Sequence, residues 1–257
     1  ESKMKEAIQT NRSCPVCNSS YAVTLGNYST VVLQNSPLAG DFSITSCSNC
    51  GFVYSDSISK YDDYIKYYRT CNKYEAAVES NTRKEIMFKN YIKAIKRHFP
   101  EGGILADIGC GNGLFLQYLD KNLTSRLIGI DPSVDTIRML RSKGLTAHEG
   151  SVYGNLPYIK KESLDFITLI SVVEHLFNPG KAIRNIVEYL KPDGKLGILV
   201  PNAAKYDQYD NSFSYYFNLE HINHFSSESL NNLMGTLSLK DLSFSEYAFT
   251  SGSSKVP

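Results

Sequence analysis

The amino-acid sequence predicts an α/β protein in which a doubly wound, mostly parallel sheet follows a small β-rich module. From residue 104 onward, segments with strand character alternate with segments of helical periodicity. A turn with three glycines, DIGCGNG at 107–113, joins the first of these strands to a helix. Two Cys-x-x-Cys pairs, CPVC at 14–17 and CSNC at 47–50, mark the N-terminal stretch. Strands that are separated by helices favour parallel pairing, with helices on the faces of the sheet.

Length and composition set the outline of the domains. The chain has 257 residues, of which 42% are hydrophobic, and this is enough for one large domain and a small module. We predict a β-rich, loop-rich module over 1–60, a tyrosine-rich segment and helical linker over 61–98, and a core domain over 99–257.

Charge and hydropathy argue against several classes of function. The chain carries 27 basic and 26 acidic residues, a net charge of +1, so we expect no nucleic-acid partner. No stretch approaches the ~20 consecutive apolar residues that cross a membrane. The first residues, ESKMKEAIQT, are polar and show no secretory signal. We therefore expect a cytoplasmic protein without membrane association.

The two Cys-x-x-Cys pairs predict a metal site. Disulfides do not persist in a reducing compartment, and a redox pair would open a helix after a strand, which neither pair does. Asn18 and Gly51 each follow the second cysteine of a pair, and both tolerate the left-handed turn that a metal-binding knuckle needs. Four thiolates suit tetrahedral Zn²⁺, and a site closed in this way is structural rather than catalytic. The predicted zinc ligands are Cys14, Cys17, Cys47 and Cys50.

The residues before the glycine-rich turn combine short strands, a tyrosine-rich segment and one helix. Turn-forming residues separate the short apolar runs of the first segment: Asn35, Pro37, Gly40 and Asp41. The stretch YDDYIKYYRTCNKYE at 61–75 carries five tyrosines. A helical period from about residue 77 to residue 98 places four side chains on one face. These four are Ile86, Tyr91, Ile92 and Ile95.

The remaining segments alternate between strand and helix. The predicted strands are ILADIG, RLIGID, LTAHEG, LDFITLIS and KLGILVP, and SLKDLSFSEYAF is the last one. The predicted helices are GLFLQYLDK, SVDTIRMLRSKG, PGKAIRNIVEYLK and SSESLNNLMGTL. In the second of these helices, Ser133 is a plausible N-cap and Gly144 the stop signal.

The glycine-rich turn predicts a nucleotide-type site. Its three glycines let the backbone approach a ligand closely and direct amide groups at it. An acid, Asp131, stands at the end of the next strand, where it can accept hydrogen bonds from a ribose diol. A glycine-rich loop alone is a weak signal, but this one has a strand before it, a helix after it and the acid in place.

Four motifs, taken together, resemble those of class I S-adenosylmethionine-dependent methyltransferases. LADIGCGNG is similar to the first motif of that family and IGIDPS to its ribose-binding motif. LDFITLISVVEHL resembles the fourth-strand motif, and LKPDGKLGILVPN the segment that leads into the fifth strand. The resemblance covers about residues 80–250 and implies a Rossmann-like fold and S-adenosylmethionine as cofactor.

The resemblance also implies roles for single residues. Gly109, Cys110 and Gly111 would pass under the methionine part of the cofactor, while Asp107 would hold its amino group. Asp131 would take the ribose hydroxyls, and Ile130 and Pro132 would flank the adenine. Where the family often has an aspartate for the adenine amino group, this chain has Ser151 and Val152, so Ser151 or a backbone group would replace it. Cys110 is expected to fill space in the loop rather than to act as a nucleophile.

A hydroxyl acceptor needs a base, and histidine is the usual one. His175, next to Glu174, ends the fourth core strand, and the family often uses this pair to shape the cofactor pocket. His221 and His224 lie in YYFNLEHINHFS, together with the expected substrate-wall residues Tyr215, Tyr216 and Glu220. We expect His224 to be the general base, with His221 and His175 as alternatives. A polar loop that merely packs on the sheet edge is the other interpretation. The tyrosine-rich segment would form a lid in this family.

The combination of a four-cysteine module with this core resembles a group of sugar and natural-product methyltransferases. It implies O-methylation of a small-molecule acceptor: a sugar, a nucleotide sugar or a phosphate-linked intermediate of surface-polysaccharide or natural-product biosynthesis. Sugar C-methyltransferases of the group carry a further C-terminal domain, and the seventh strand of the family is not evident here, which leaves a truncated chain as one interpretation. A sugar C-methyltransferase, an RNA methyltransferase and a non-catalytic cofactor-binding module are the alternatives. The oligomeric state stays open.

Overall fold

The structure, a computed structural model, is built around two five-stranded sheets. It describes residues 6–32, 34–70, 82–208, 213–237, 239, 243, 245, 249–251 and 254–256. One sheet is antiparallel and belongs mainly to the N-terminal module, while the other is parallel and forms the centre of the core domain. The predicted α/β fold with a parallel sheet and a small N-terminal β-rich module is confirmed.

The N-terminal sheet takes four strands from the module and a fifth from far along the chain. The four are β1 (Ile8–Gln9), β2 (Tyr21–Ser29), β3 (Asp41–Cys47) and β4 (Val53–Asp56). The fifth, β10 (Asn223–His224), pairs antiparallel with β4, so that Asn223 lies opposite Tyr54 and His224 opposite Val53. The module and the core domain are therefore joined by backbone hydrogen bonds.

Two helices connect the sheets, α1 (Tyr61–Thr70) and α2 (Thr82–Lys96). The start of the predicted helix at 77–98 lies outside the described residues. α2 confirms the helix from Thr82 to Lys96, two residues short of its predicted end. The predicted apolar face was wrong at Ile86, which is 43% exposed, whereas Phe88 is buried with Tyr91 and the two following isoleucines of that face. At 3.6 residues per turn, Ile86 lies about 200° around the helix axis from Phe88, and so faces solvent.

The core sheet is parallel. Its strands are β5 (Ile104–Ile108), β6 (Arg126–Asp131), β7 (Ala147–Glu149), β8 (Leu164–Ile170) and β9 (Leu190–Leu199). They lie side by side in the order β7-β6-β5-β8-β9. The accompanying helices are α3 (Leu114–Asn122), α4 (Val134–Ser142), α5 (Pro179–Val187), α6 (Phe213–Tyr216) and α7 (Ser227–Gly235). The five predicted core strands through KLGILVP and the four predicted core helices are all present. Because the strands are parallel, their carboxyl ends meet at one edge, which is where ligands bind in such sheets.

The predicted last strand, SLKDLSFSEYAF, lies mostly outside the described residues. The part of it that the structure describes contributes Phe249 to β11 (Phe249–Ser251), which pairs antiparallel with β12 (Ser254–Val256). This two-stranded hairpin is separate from both five-stranded sheets.

The helix caps that the sequence predicts for α4 are confirmed. The Ser133 side chain accepts a hydrogen bond from the backbone N–H of Thr136 at 3.1 Å. Gly144, just after the helix, has a φ of +79°, a left-handed conformation that glycine adopts without strain.

The N-terminal module and the parallel sheet share one hydrophobic core. Phe52 of the module packs on Phe225 of the core domain, with ring centroids 5.0 Å apart, and Tyr54 is fully buried beside them. The domain boundaries at residues 60 and 98 stay a prediction. Among the described helices, none has the length and apolar character to span a membrane.

Candidate functional site

The glycine-rich turn after β5 forms an open cradle at the carboxyl edge of the parallel sheet. Gly109 and Gly111 have φ values of +78° and +49°, which glycine adopts readily and other residues rarely. A Cβ on Gly109 would meet the Val172 side chain at 2.6 Å, whereas a Cβ on Gly111 would meet nothing within 4 Å. The turn therefore presents bare backbone toward free space, as a ligand that lies across it requires.

Two buried carboxylates flank this cradle. Asp131 accepts hydrogen bonds at 3.0 Å from the N–H groups of Gly111 and Ser133. Asp107 accepts one from the Thr168 hydroxyl at 2.7 Å. Burial raises the pKa of Asp107 to about 7, and the negative charge of Asp131 adds to the rise. Burial also raises the pKa of Asp131. A ligand that brings an ammonium group and hydroxyl donors would stabilise both carboxylates, so these residues fit S-adenosylmethionine.

The other predicted cofactor residues line the same region. Cys110 is buried in a small apolar cluster, where burial raises the pKa of its thiol, in agreement with a packing role. The N–H of Gly150 donates to the Asp131 carbonyl at 3.0 Å, which brings Ser151 beside the end of β6. Ser151 and Pro132 are half-buried, while Val152 is buried in the main core. Their contacts with the adenine stay predictions.

A pair of histidines forms the centre of the predicted acceptor side. His175, in the short 3₁₀ turn Val173–His175 after β8, lies edge-on to His221, with ring centroids 4.9 Å apart. The Nδ1 atom of His175 is 2.9 Å from the Glu220 carbonyl oxygen, and its Nε2 atom is 4.0 Å from Oε1 of Glu174. Since a carbonyl oxygen only accepts, the neutral His175 ring carries its proton on Nδ1 and a lone pair on Nε2.

Glu174 is a buried carboxyl group beside these histidines. It is only 2% exposed, and no group in the described part of the chain hydrogen-bonds to either of its carboxyl oxygens. Burial raises the pKa of Glu174 to about 8. A protonated, uncharged carboxyl is therefore the dominant form near neutral pH, and a positive charge on His175 would favour its ionisation.

Two tyrosines of α1 lie beside this histidine pair. Tyr67 of α1 donates a hydrogen bond from its hydroxyl to the Glu220 carboxylate, and Tyr68 lies edge-on to His175 with ring centroids 6.0 Å apart. Of the predicted substrate-wall tyrosines, Tyr215 is 54% exposed and lies 6.3 Å from the His221 ring. Tyr216 is fully buried and stacks on a neighbouring tyrosine at 4.1 Å, so its position is that of a packing residue.

His224, the expected base, lies in a different environment from His221. It is 3% exposed in β10, and burial lowers its pKa to about 3, with smaller contributions from His221 and Arg12. Its Nδ1 atom is 3.5 Å from the Tyr206 hydroxyl. A base has to be reached by the substrate and has to take up a proton near neutral pH. The placement of His224 therefore counts against preferring it over the half-buried His221 and His175.

The four predicted zinc ligands come together at one end of the N-terminal sheet. Their sulfur atoms all lie within 4.8 Å of one another, with Cys14 and Cys50 at 3.6 Å and Cys17 and Cys47 at 3.4 Å. Tetrahedral Zn²⁺ with Zn–S bonds of about 2.3 Å would place the sulfurs about 3.8 Å apart. Asn18 and Gly51 have left-handed φ values of +61° and +73°, as the knuckle interpretation requires. The donor set and its spacing fit zinc.

Sequence reasoning missed two residues of the acceptor side. From the sequence, Tyr67 is only one of five tyrosines in a segment expected to form a lid, and nothing in the sequence distinguishes Arg12. Arg12 is 5% exposed and donates hydrogen bonds to the loops that follow His175 and His221. A buried arginine with distant backbone partners leaves no periodic or spacing signal in a sequence.

Comparisons with known proteins identify the domain. A family model described as a methyltransferase domain matches residues 82–243. A tRNA U34 carboxymethyltransferase from Desulfotalea psychrophila is 31% identical over 110 residues, which span 40% of this chain and 34% of that protein. A mitochondrial ubiquinone biosynthesis O-methyltransferase from Dictyostelium discoideum is 26% identical over 122 residues, which span 42% of this chain and 38% of that protein.

Solved structures share the fold. A SAM-dependent methyltransferase from Thermotoga maritima superposes with a TM-score of 0.52 at 24% identity, covering 68% of this chain and 80% of that one. The two curated relatives are matched over little more than a third of their own length. What those whole proteins act on is therefore not transferred by the match.

Proposed function

The chain belongs to the methyltransferase domain family, and we propose that it transfers a methyl group from S-adenosylmethionine to an oxygen atom of a small-molecule acceptor. The observation that carries the choice of oxygen is the pair of His175 and His221, 4.9 Å apart. Val172, which contacts the glycine-rich turn, lies on the same short segment as His175. A base beside the cofactor cradle is what a weakly acidic hydroxyl requires.

The cofactor is proposed to lie across the turn at 107–113. Gly109 and Gly111 supply bare backbone, Asp107 a carboxylate for the amino group, and Asp131 two acceptor oxygens for the ribose diol. When bound, S-adenosylmethionine supplies a methyl group on a positively charged sulfur, already activated for in-line displacement. The protein's contribution on this side is alignment and exclusion of water.

On the acceptor side, a residue of this chain would accept the proton that the acceptor hydroxyl loses. The hydrogen bond from Nδ1 of His175 to the Glu220 carbonyl puts the lone pair of the neutral ring on Nε2, which would be the atom that accepts the proton. Oε1 of Glu174 lies 4.0 Å from that nitrogen, where a positive charge on the ring would lower the pKa of this carboxyl. His221 borders the same space and is the alternative proton acceptor. The Tyr67 hydroxyl donates a hydrogen bond to the Glu220 carboxylate. This bond holds the loop that carries both the Glu220 carbonyl and His221.

The acceptor is proposed to be a sugar, a nucleotide sugar or a phosphate-linked intermediate of surface-polysaccharide or natural-product biosynthesis. The near-neutral net charge of +1 supports a small molecule over a long polyanion. The Dictyostelium relative is named as an O-methyltransferase, which supports oxygen as the methylated atom. The four cysteines are proposed to hold a structural zinc ion, on the strength of their clustered sulfurs.

One similarity favours a second candidate. An Arabidopsis thaliana relative, 34% identical over 119 residues, is named as a tRNA (carboxymethyluridine(34)-5-O)-methyltransferase. Its name describes transfer to a carboxymethyl group on tRNA. A carboxylate oxygen is already ionised at neutral pH, so it needs no base. If this chain acts on such an acceptor, the histidines are not needed for proton removal.

The test is a methyl-transfer assay that detects S-adenosylhomocysteine. One arm offers UDP-, GDP- and dTDP-linked hexoses, and the other offers tRNA that bears 5-carboxymethyluridine. Turnover with a nucleotide sugar that is lost in His175→Gln or His221→Gln supports the proposal. Turnover with tRNA alone, unaffected by either substitution, would overturn it in favour of the second candidate. Asp131→Ala serves as the control that weakens cofactor binding in both arms.

A further inference from the structure

We infer that Arg12, in the N-terminal module, is a positioning residue that holds the two histidine-bearing loops in register. The inference rests on the proposed function, because it takes His175 and His221 to be the groups that receive the proton. Arg12 touches neither ring in the contacts described; it acts through the backbone that follows each of them.

The Arg12 guanidinium reaches both loops at once. Its Nη2 atom donates to the Phe177 carbonyl at 2.7 Å and to the Leu176 carbonyl at 3.2 Å. Its Nη1 atom donates to the Ile222 carbonyl at 2.9 Å. Leu176 directly follows His175, and Ile222 directly follows His221. One side chain therefore fixes the backbone next to both histidines.

Asn223, the first residue of β10, belongs to the same hydrogen-bond network. Its side-chain oxygen accepts a hydrogen bond from Arg12 Nη2 at 2.7 Å. Its amide nitrogen donates to the carbonyls of Val173 and Leu176 at 3.0 Å and 2.8 Å. The loops are also tied directly, since the N–H of Ile222 donates to the Glu174 carbonyl at 2.9 Å.

The contacts of the guanidinium are unusual for a buried cation. Within the described residues, its hydrogen bonds go to carbonyl and amide oxygens, and the nearby Asp56 carboxylate instead accepts from the backbone N–H of Arg12 at 2.8 Å. The ring of Phe177, 5.0 Å from the guanidinium carbon, adds a cation–π contact. Burying a positively charged guanidinium that has no carboxylate partner costs desolvation free energy, so an arginine is a poor choice for a residue that only fills space. What distinguishes the arginine side chain is its rigid, planar guanidinium group, whose five N–H donors can reach two loops at once.

The module supplies the anchor for this fork. Asp56, in β4, accepts a hydrogen bond from the backbone N–H of Arg12. Cys14, the first cysteine of the four-cysteine cluster, follows Arg12 by only two residues. A change in the register of the loops would alter the hydrogen bond from His175 Nδ1 to the Glu220 carbonyl, and with it the proton-accepting nitrogen. The N-terminal module is thereby connected to the chemistry through Arg12.

The experiment compares Arg12→Lys and Arg12→Met with Arg138→Lys, a control at an exposed surface ion pair. Histidine ring signals are followed by ¹⁵N NMR as a function of pH, assigned with His175→Gln and His221→Gln. S-adenosylmethionine binding is measured by calorimetry, and folding by thermal unfolding. Lysine keeps the charge but concentrates its donors on one nitrogen, so it can hold one loop and not both.

In folded Arg12→Lys, we expect shifted ring signals and ring pKa values for His175 and His221, with cofactor affinity unchanged. With a working acceptor, kcat should fall by about 10–100-fold, as a displacement of about 1 Å can cause. The control should resemble the wild type. If Arg12→Met does not fold, Asn223→Ala provides a second way to release the loops.

Unchanged ring signals in folded Arg12→Lys and Asn223→Ala would overturn the inference. Loss of cofactor binding in parallel with the ring shifts would also overturn it, because a general loss of structure would then explain both. The proposal that one of these histidines is the base is tested separately. It is wrong if His175→Gln and His221→Gln both keep full turnover. The ring signals test the positioning by Arg12 in either case, since they require no acceptor.

Discussion

The turn at 107–113 and the histidine pair face the same edge of the parallel sheet, yet the chain builds them differently. The cofactor side consists of that turn and Asp131, which lie on neighbouring strands close together in sequence. The acceptor side joins Arg12, Tyr67, His175 and His221, which come from four separate segments. The first side depends on local backbone conformation. The second depends on the N-terminal module holding distant loops together, so the two should respond differently to the same kind of damage.

Removing a zinc ligand should separate the two sides most strongly. In Cys14→Ser we expect loss of bound metal and unfolding of the N-terminal sheet, because structural zinc contributes about 10 kcal/mol or more to folding. Turnover should disappear, while cofactor binding by the core domain should partly survive. Metal analysis, denaturant unfolding and calorimetry measure the three effects. The control Cys110→Ser should keep about one equivalent of zinc. Metal-free wild-type protein with an intact module would contradict the zinc proposal.

Substitution of the proposed base should affect only the acceptor side. His175→Ala should lower turnover by roughly 10²–10⁴-fold and leave S-adenosylmethionine affinity unchanged. The same assay applies to His221→Ala, the substitution of the alternative proton acceptor. The matched variant His224→Ala should instead destabilise the fold by about 1–3 kcal/mol, since it removes a buried side chain. A stable His224→Ala protein without turnover would restore the preference for His224 that the sequence suggested.

The buried carboxyl of Glu174 should make stability depend on pH. Its folded-state pKa of about 8 lies above its ordinary value of 4.5, so the folded protein binds more protons than the unfolded chain between these values. The free energy of unfolding should therefore fall as pH rises from about 4.5 to about 8, by an amount on the order of 4 kcal/mol. Glu174→Gln should lack this part of the slope. Urea unfolding of both proteins at the two ends of the range measures it, and parallel slopes would contradict the assignment.

The smallest of these effects is expected on the cofactor side. Asp131→Ala removes the acceptor of two backbone N–H groups and of the expected ribose hydroxyls, which should weaken S-adenosylmethionine binding by about 1–3 kcal/mol. Calorimetry gives the dissociation constant. Asp135→Ala, at an exposed ion pair, is the matched control and should bind normally. The ring signals of His175 and His221 should stay in place, and a large shift in them would show that the two sides are not independent.

The cofactor side could be predicted from the sequence because its signals are local. Three glycines, a following helix and Asp131 at the next strand end are all properties of one continuous stretch, and their conformations are observed as expected. Asn18 and Gly51 belong to the same kind of signal, since each follows its cysteine pair directly. Such features depend on residue type and spacing alone.

The acceptor side could be predicted only as a set of candidates. The sequence placed His175, His221 and His224 near the sheet edge, but their burial depends on β10 pairing with a strand of the N-terminal module. That pairing buries His224 and leaves His221 beside His175. Arg12 could not be found, because its partners on the two loops lie more than 160 residues away and are mostly backbone carbonyls, which every residue has.

The late arrival of β10 has a consequence for how the protein is made. On the ribosome, β4 emerges long before Asn223 and His224, which complete its sheet. At ~5–20 residues per second, the interval is on the order of ten seconds. During that time the hydrogen-bonding edge of β4 has no native partner, and such an edge readily pairs with other chains. The nascent chain thus passes through a period in which chaperones would be expected to engage the N-terminal segment.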